Sequence, residues 1–432
     1  MKQVKLLSPF QKFLKIESFS GILLLLATLV ALIWANSPFD DSYQSLWQYK
    51  IGITTQSFEL SKPLILWIND GLMAIFFFMI GLEIKREFLI GELKSVKKIA
   101  FPLYGAVGGM IVPAVMFILL NQNPETMKGW GIPMATDIAF SLAVLKVLGK
   151  RVPLSLKLFL TAFAIVDDLG AVLIIAIFYS SSINVTLLLA AIALLVVLYL
   201  LSYKGYFSKY ILILFAIVIW VLFLKSGIHP TIAGILLAFS VPVRQNIDTP
   251  TFIDNLSRIT DNIKKATILE KPILCKEQIE QIDDLEDLAC KYQSPLQHLE
   301  HRIHDWVAYF IIPLFALANA GVTINSGVDM DTLLIINIII ALVFGKSIGV
   351  SFVVLFAKKL KLIEVPHDIS NWQIVGVSFL AGIGFTMAIF VASLAFVSNP
   401  IYIDAAKMGI VIGSLLSAII GYTILRLKSK VI

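Results

Sequence analysis

Long apolar runs recur along this chain from near its start to near its end. A helix needs ~20 apolar residues to cross the hydrocarbon core of a bilayer. Windows of that length predict about twelve such helices, at 17–35, 62–86, 97–120, 129–148, 153–179, 183–203, 208–224, 227–243, 304–325, 332–357, 371–397 and 402–426. Helices satisfy their own backbone groups in lipid. We therefore predict an all-α integral membrane protein.

The composition agrees with this prediction. Of the 432 residues, 58% are hydrophobic and 15% are charged, whereas a soluble domain averages about 25% charged residues. The net charge of +6 does not indicate nucleic-acid binding, because the Lys and Arg residues are spread between the apolar runs. Cys275 and Cys290 both lie in a polar segment, and we expect them to be reduced thiols.

The basic residues predict the orientation of the chain. Four lysines precede the first apolar run, and no small-x-small cleavage site follows it, so we expect an uncleaved helix with a cytoplasmic N-terminus. Twelve alternating helices then place 29 Lys and Arg residues on the cytoplasmic side and 5 on the outer side. This asymmetry follows the positive-inside rule and predicts a cytoplasmic C-terminus.

Two segments are not expected to span the membrane. Residues 44–60 have β-prone residues on both sides of a polar turn, which predicts an outer β-hairpin. Residues 244–300 form a long polar segment that we place in the cytoplasm. Within it, residues 277–288 carry apolar side chains at helical spacing opposite acidic ones, which predicts an amphipathic helix.

Adjacent aspartates occupy the middle of the fifth span. Asp167 and Asp168 are its fifteenth and sixteenth residues, and each costs ~2.5–3.5 kcal/mol at the bilayer centre. Ionisable groups at that depth usually serve transport, so this pair is the predicted cation and proton site. Lys346 is the fifteenth residue of the tenth span and lies at a similar depth. It is the expected partner of one aspartate, although the sequence does not say which.

Helix-breaking residues interrupt two other spans. Gly129, Gly131 and Pro133 precede Thr136 and Asp137 in the fourth span, and two glycines interrupt the eleventh span at 382–384. A broken helix exposes backbone dipoles at membrane depth, which is tolerated where the break lines a cavity. Spans 3–5 and 10–12 have opposite predicted orientations, and each triplet has its break in the middle member. This arrangement predicts two inverted repeats.

A third group of charges lies at the predicted cytoplasmic helix ends. It could be an ordinary solvated surface or a patch that responds to pH, because His titrates near neutral pH. His301 and His304 could also bind a metal, but no clear third and fourth ligands accompany them. The group consists of Glu83, Arg86, Glu87, Glu300, His301 and His304.

The chemistry of the aspartate pair favours exchange. Carboxylates bind small hard cations and also take protons, so the two ligands compete for one site. One rival is an intramembrane aspartyl protease, but no Gly-x-Gly-Asp string occurs, and Lys346 would have no role in it. A second rival is a proton-coupled transporter of another solute, which would need more aromatic or polar residues near the breaks.

Several motifs together resemble the NhaA family of sodium/proton antiporters over nearly the whole chain. They are GLEIKRE (81–87), ATDIAF (135–140), AIVDDLG (164–170), LEHRIH (299–304), PLFALANAG (313–321), Gly345-Lys346 and GIGFTM (382–387). The inverted repeat predicted above is itself a known feature of that family.

The resemblance implies a transporter of the bacterial inner membrane, without enzymatic activity or cofactor. It would exchange internal sodium or lithium for external protons electrogenically, with Asp167 and Asp168 as ion ligands and Lys346 as their partner. Asp137 and Thr136 would compensate the helix breaks, and the third charged group would sense pH. The hairpin would join two protomers. The long 244–300 segment and Asp305, where a proline is common, depart from the family pattern beside that sensor.

Overall fold

The computed structural model describes residues 9–54, 59–91, 96–180, 183–245, 247–265, 275–323, 330–397 and 399–428. The side chains of 9–18, 59, 96–98, 150 and 265 are not part of this description.

Helices make up most of the described chain, and a single two-stranded sheet accompanies them there. In the first half these are α1 Pro9–Ala35, α2 Asp40–Gln48, β1 Lys50–Thr54, β2 Glu59–Pro63, α3 Leu64–Leu66, α4 Met73–Leu89, α5 Val96–Leu120, the 3₁₀ helix Pro124–Met134, α6 Ile138–Val147, α7 Leu154–Phe178, α8 Val185–Tyr203 and α9 Lys209–Ser226.

The second half continues with α10 Thr231–Ser240, α11 Thr249–Lys265, α12 Lys276–Tyr292, α13 Pro295–Trp306, α14 Ile312–Asn319, α15 Thr332–Ile340, α16 Lys346–Lys359, α17 Asn371–Ala381, α18 Phe385–Ala395 and α19 Pro400–Lys428. Short π-helical turns at Trp67–Leu72, Val307–Ile311 and Ala341–Gly345 join α3 to α4, α13 to α14 and α15 to α16.

Seven of the described helices are long and apolar enough to cross a membrane, and three bent pairs raise that number to at most ten. The two other predicted spans, 227–243 and 304–325, coincide with the ten-residue helix α10 and with the segment that the second π turn divides. Twelve spans therefore stay a prediction. The seven helices and three pairs make the chain a multi-pass membrane protein.

Both predicted interruptions coincide with bends. The axes of the 3₁₀ helix and α6 differ by 47°, and those of α17 and α18 by 43°. Pro133, which cannot donate a backbone hydrogen bond, lies at the end of the 3₁₀ helix. Residues 382–384 link the other pair. Each break leaves free backbone groups inside the protein, and these groups build the site described below.

The predicted hairpin is a two-stranded antiparallel sheet, with register Lys50↔Pro63 through Thr54↔Glu59. Its predicted turn falls partly outside the described residues. The prediction of strand for residues 44–48 is wrong, because they form the end of α2. Tyr43 and Trp47, one helical turn apart, are buried there, so packing against the protein outweighs their β propensity.

The polar segment 244–300 contains a pair of helices. α12 covers residues 277–288, and α11 packs against it through the stacked rings of Phe252 and Tyr292, whose centroids lie 4.0 Å apart. A hydrogen bond of 3.1 Å joins Asn262 to Gln281. The last residues of the segment, from Pro295, already belong to α13.

Close packing fixes the helix that carries Lys346. α16 crosses α5 where Gly108 meets Gly349, and a Cβ on either glycine would collide with the backbone carbonyl of the other. Small residues allow such close approach between helices in a membrane. This contact holds α16, which begins at Lys346, close against α5.

Candidate functional site

The two breaks meet and satisfy each other's backbone groups. The amide of Asp137 donates to Ile383 O at 2.6 Å, and the Thr136 hydroxyl donates to Ala381 O at 2.9 Å. One turn later, the Ser141 hydroxyl donates to Leu380 O at 2.8 Å. The carbonyl end of α17 is therefore capped by the segment that enters α6, instead of being left bare at membrane depth.

The Asp137 carboxylate serves the amino ends of both half-helices. Oδ1 accepts from the Phe140 amide at 3.1 Å, which makes Asp137 the N-cap of α6. Oδ2 accepts from the amide of Thr386 at 3.1 Å and from its hydroxyl at 2.5 Å, at the start of α18. A negative charge placed there is stabilised by the positive ends of two helix dipoles. The structure thus places the Asp137 carboxyl between the amino ends of α6 and α18.

Lys346 lies against the fifth predicted span. Its side chain is fully buried, and its ammonium donates to Asp167 Oδ2 at 2.8 Å and to Met134 O at the end of the 3₁₀ helix. The π turn Ala341–Gly345 ends immediately before it. Three elements therefore converge on one ammonium: α16 supplies it, α7 supplies the carboxylate, and the 3₁₀ helix supplies a carbonyl.

Asp168 has a different environment from its neighbour. It is buried, yet no hydrogen bond or ion pair joins its carboxylate to another described residue. The carboxylates of Asp167, Asp137 and Glu83 lie near enough to oppose a negative charge on it, and Lys346 is the cation that attracts it. The sequence left the partner of Lys346 open. The structure pairs it with Asp167 and gives Asp168 no such partner among the described residues.

Only some of the charged residues predicted at the far end of α4 form ion pairs with one another. Arg86 lies 2.9 Å from Glu300 of α13 and 3.0 Å from Glu87, so these three residues form one network. Glu83 is half-buried on the same helix and faces both this network and Asp168. Burial raises the pKa of Glu300, and the Arg86 guanidinium offsets part of that effect.

Both histidines of this group lie on α13, near Arg86 and Glu300. His301 is exposed on α13, whereas His304 is half-buried one turn later. Among the residues described, no three His, Cys, Asp or Glu side chains are grouped closely enough to hold a metal ion. That these histidines are not metal ligands therefore stays a prediction.

A vestibule of about 700 Å³ opens beside the β-hairpin, at the other end of α4. Asp70 in its wall accepts from Lys62 of β2 at 2.6 Å, and His229 Nε2 lies 3.7 Å from the same carboxylate. Asn69 and Asn319 exchange hydrogen bonds of 2.8 and 3.1 Å deeper in the wall. The sequence did not identify this vestibule, because its residues come from distant parts of the chain.

Some residues of the site were missed although the sequence contains a signal for them. Thr386 follows the second break directly, in the first turn of a half-helix where oxygen groups meet free amides. Ser141 lies four residues after Asp137, on the same face of α6. The role of Met134 depends on a backbone carbonyl, which no side-chain pattern reveals.

Comparison with known proteins gives a consistent result. A family model described as "Na+/H+ antiporter 1" matches residues 11–425. The Na(+)/H(+) antiporter NhaA of Oleidesulfovibrio alaskensis is 46% identical over 427 residues, which cover 98% of this chain and 94% of that protein. The proteins of the same name from Helicobacter pylori and Koribacter versatilis are 43% and 42% identical, and the matches cover 95% and 98% of this chain and 93% and 92% of theirs.

These relatives are transporters rather than enzymes, and the matched region includes both helix breaks, the aspartate pair and Lys346. The similarity extends over nearly the full length of the chain and of its relatives. The chain therefore belongs to the NhaA family of sodium/proton antiporters.

Proposed function

We propose that sodium or lithium and protons compete for the buried aspartate pair, and that this competition couples their exchange. The observation that carries the proposal is the contrast between the neighbours. Asp167 is paired with Lys346, whereas Asp168 is buried without a partner among the described residues. A lone buried carboxylate is unstable unless a proton or a cation neutralises it. Only the forms of the protein that carry a cation or protons at the site would then switch the site from one side of the membrane to the other.

Charge balance supports electrogenic exchange. Asp137 at the breaks and Asp167 and Asp168 on α7 are all buried, and Lys346 brings a single positive charge. The helix dipoles stabilise Asp137. One sodium ion carries one charge out, so a net current requires more than one proton to return. Asp168 and the Asp167–Lys346 pair provide two places where protons could be held.

The Arg86–Glu300 network is the proposed pH sensor. Glu83 interacts electrostatically with both this network and Asp168, so protonation at the far end of α4 would reach the site through a carboxylate on the same helix. Glu87, His301 and His304 complete the proposed sensor. The vestibule beside the hairpin would be the outer mouth of the path, and the Arg86 end would be the inner one.

The chain would lie in the bacterial inner membrane as one transporter domain, with both termini and the 244–300 segment in the cytoplasm. The hairpin would join two protomers in lipid, and spans 3–5 and 10–12 would be inverted repeats. All five residues of β1 are exposed, Ile51 and Ile53 among them. Exposed apolar residues on a strand at the edge of a sheet readily pair with another chain, which supports a partner at this surface.

The decisive test is transport by the purified chain in proteoliposomes with an imposed pH gradient. Sodium and lithium should collapse the gradient, potassium should not, and a valinomycin-controlled potential should change the rate. Asp168→Asn should abolish the response. Asp261→Asn, the same change on the exposed helix α11, is the matched control and should not affect it.

A binding measurement separates the site from the cycle. Sodium that binds the folded state raises thermal stability by RT ln(1 + [Na+]/Kd). The stabilisation should be largest at alkaline pH and decline as protons compete. If Asp168→Asn retains both transport and sodium-dependent stabilisation, the site assignment is wrong. If potassium drives equal exchange, the selectivity is wrong.

A further inference from the structure

The first half of the broken fourth span is a 3₁₀ helix of eleven residues, Pro124–Met134. Such helices are rarely longer than three or four residues, because their hydrogen bonds are poorer than those of an α-helix. A run of this length therefore needs support from outside. Its last residue, Met134, supplies the carbonyl that accepts from the Lys346 ammonium. Any contact that holds this helix in place therefore also positions one hydrogen-bond acceptor of Lys346.

Tyr179 provides support from α7, the helix that carries the aspartate pair. It follows the last residue of α7, and its hydroxyl donates to Lys128 O at 2.7 Å and accepts from the Gly131 amide at 3.3 Å. One hydroxyl thus satisfies a carbonyl and an amide in the middle of the 3₁₀ helix. We call these two hydrogen bonds the Tyr179 bridge.

The sequence of the 3₁₀ helix is suited to this bridge. A Cβ on Gly131 would lie 2.7 Å from the Tyr179 hydroxyl oxygen and 3.3 Å from the nearest ring carbon. Only glycine lets the hydroxyl reach the backbone at this point. The neighbouring Trp130 packs edge-to-face on Phe178, with ring centroids 5.1 Å apart. The rings bring the elements together, and the hydroxyl sets the register of the backbone.

The 3₁₀ helix is therefore tied to α7 at two points. The Tyr179 bridge holds its middle, and Met134 O holds its end through Lys346, which also pairs with Asp167. We propose that Tyr179 is a positioning residue for the cation site: its hydroxyl keeps Met134 O and the following break in register with the aspartate pair. This inference rests on the proposed function of that pair. Tyr179 itself touches neither aspartate in the hydrogen-bond network.

The position of Tyr179 suggests when the bridge acts. Its side chain also lines the vestibule beside the hairpin, so water there has access to it. A tyrosine hydroxyl is uncharged near neutral pH and exchanges one hydrogen-bond partner for water at little net cost. The bridge can thus be released without moving a charge when the path opens towards this side.

The test is Tyr179→Phe in the full chain, which removes the hydroxyl and keeps the ring. We expect hydrogen–deuterium exchange to rise about fivefold in the peptide that contains Gly131, with no change in the first three turns of α7. In proteoliposomes, the KM for sodium should rise about three- to tenfold while the maximal rate stays within about a factor of two.

The matched control is Tyr402→Phe. The Tyr402 hydroxyl bonds Glu125 at 2.7 Å, in the first turn of the same 3₁₀ helix, but it belongs to α19 instead of α7. Its removal should leave the KM unchanged. Gly131→Ala should displace the hydroxyl and raise the KM as Tyr179→Phe does. Combining the two changes should add little, because the same bridge is already lost.

Two results for Tyr179→Phe would contradict the proposal. Faster hydrogen–deuterium exchange at Gly131 with an unchanged KM would show that the bridge is only structural. Unchanged hydrogen–deuterium exchange would show that no bridge exists. The hydrogen–deuterium exchange measurement does not depend on transport. If the native chain fails to transport sodium against protons, the proposed function is wrong, but hydrogen–deuterium exchange still tests the bridge.

Discussion

The Lys346 ammonium lies 2.8 Å from Oδ2 of Asp167, and both side chains are closed to solvent. Breaking a buried ion pair by removing one partner costs ~3–5 kcal/mol, because it leaves an uncompensated charge. Lys346→Met should therefore lower the free energy of unfolding by about that amount, as measured by thermal unfolding in detergent. The double variant Asp167→Asn with Lys346→Met should regain most of the loss, since neither charge then remains.

Lys264→Met is the control for this experiment. Lys264 pairs with Asp261 at 3.4 Å on the surface of α11, where both side chains are more than half exposed. Exposed pairs contribute little, so this variant should unfold like the native chain. A double variant as unstable as Lys346→Met would show that the stabilisation comes from the packing of the lysine stem instead of the charge pair.

Thr386 is expected to hold Asp137 in place across the two breaks. Thr386→Val keeps the shape of the side chain and the backbone hydrogen bond but removes the 2.5 Å hydroxyl bond to the carboxylate. Hydrogen bonds to charged groups contribute ~1.5–3 kcal/mol. We expect a loss of stability of that order and a higher KM for sodium. Thr386→Ser restores the donor and should behave like the native chain, whereas equal impairment of both variants would assign the effect to the methyl group.

The sequence predicts well what depends on local composition. Apolar runs of membrane length, the aspartate pair and both helix interruptions are visible because lipid exposure, buried charge and helix breaking each require particular residue types. The same reasoning could not choose between Asp167 and Asp168 as the partner of Lys346. Neighbours on a helix point about 100° apart, and the π turn before Lys346 shifts its direction by an extra residue.

Residues 40–48 illustrate a second limit. Asp40 and Asp41 at the start, with Tyr43 and Trp47 four residues apart, fit an amphipathic helix, but the aromatic residues equally suit a strand. The decision depends on a surface made by distant residues. The Tyr43 hydroxyl donates to Leu317 O at 2.8 Å, far away in the sequence. Local propensity cannot foresee such a contact.

Glu300 should make the contact between α13 and α4 sensitive to pH. Arg86, Glu87 and Glu83 of α4 and His301 of its own helix face it. Burial raises the pKa of Glu300 above its ordinary value of 4.5, so the packed state favours the neutral acid. This contribution to stability is complete below pH 4.5 and is lost as the pH rises through the raised pKa.

Glu300→Gln cannot ionise, so it should lose less thermal stability than the native chain as the pH rises from 4.5. If loosening of this contact activates transport, half-maximal activity should also move to higher pH. Glu286→Gln is the control, because Glu286 is exposed and makes only a long ion pair of 3.9 Å with Arg302 in the same region. Identical pH curves for Glu300→Gln and the native chain would remove Glu300 from the proposed sensor.

The β-hairpin offers a test of dimer formation that leaves the transport site untouched. Ile53 is 68% exposed on β1, and a bare apolar strand edge readily pairs with another chain. Ile53→Lys should weaken the dimer, as measured by the fraction cross-linked in native membranes or by mass photometry, while sodium/proton exchange per protomer persists. Ile253→Lys alters an equally exposed isoleucine on α11, at 56% exposure, and should leave the dimer intact. Loss of the dimer in both variants would indicate a general effect of charge, and its retention in both would place the interface elsewhere.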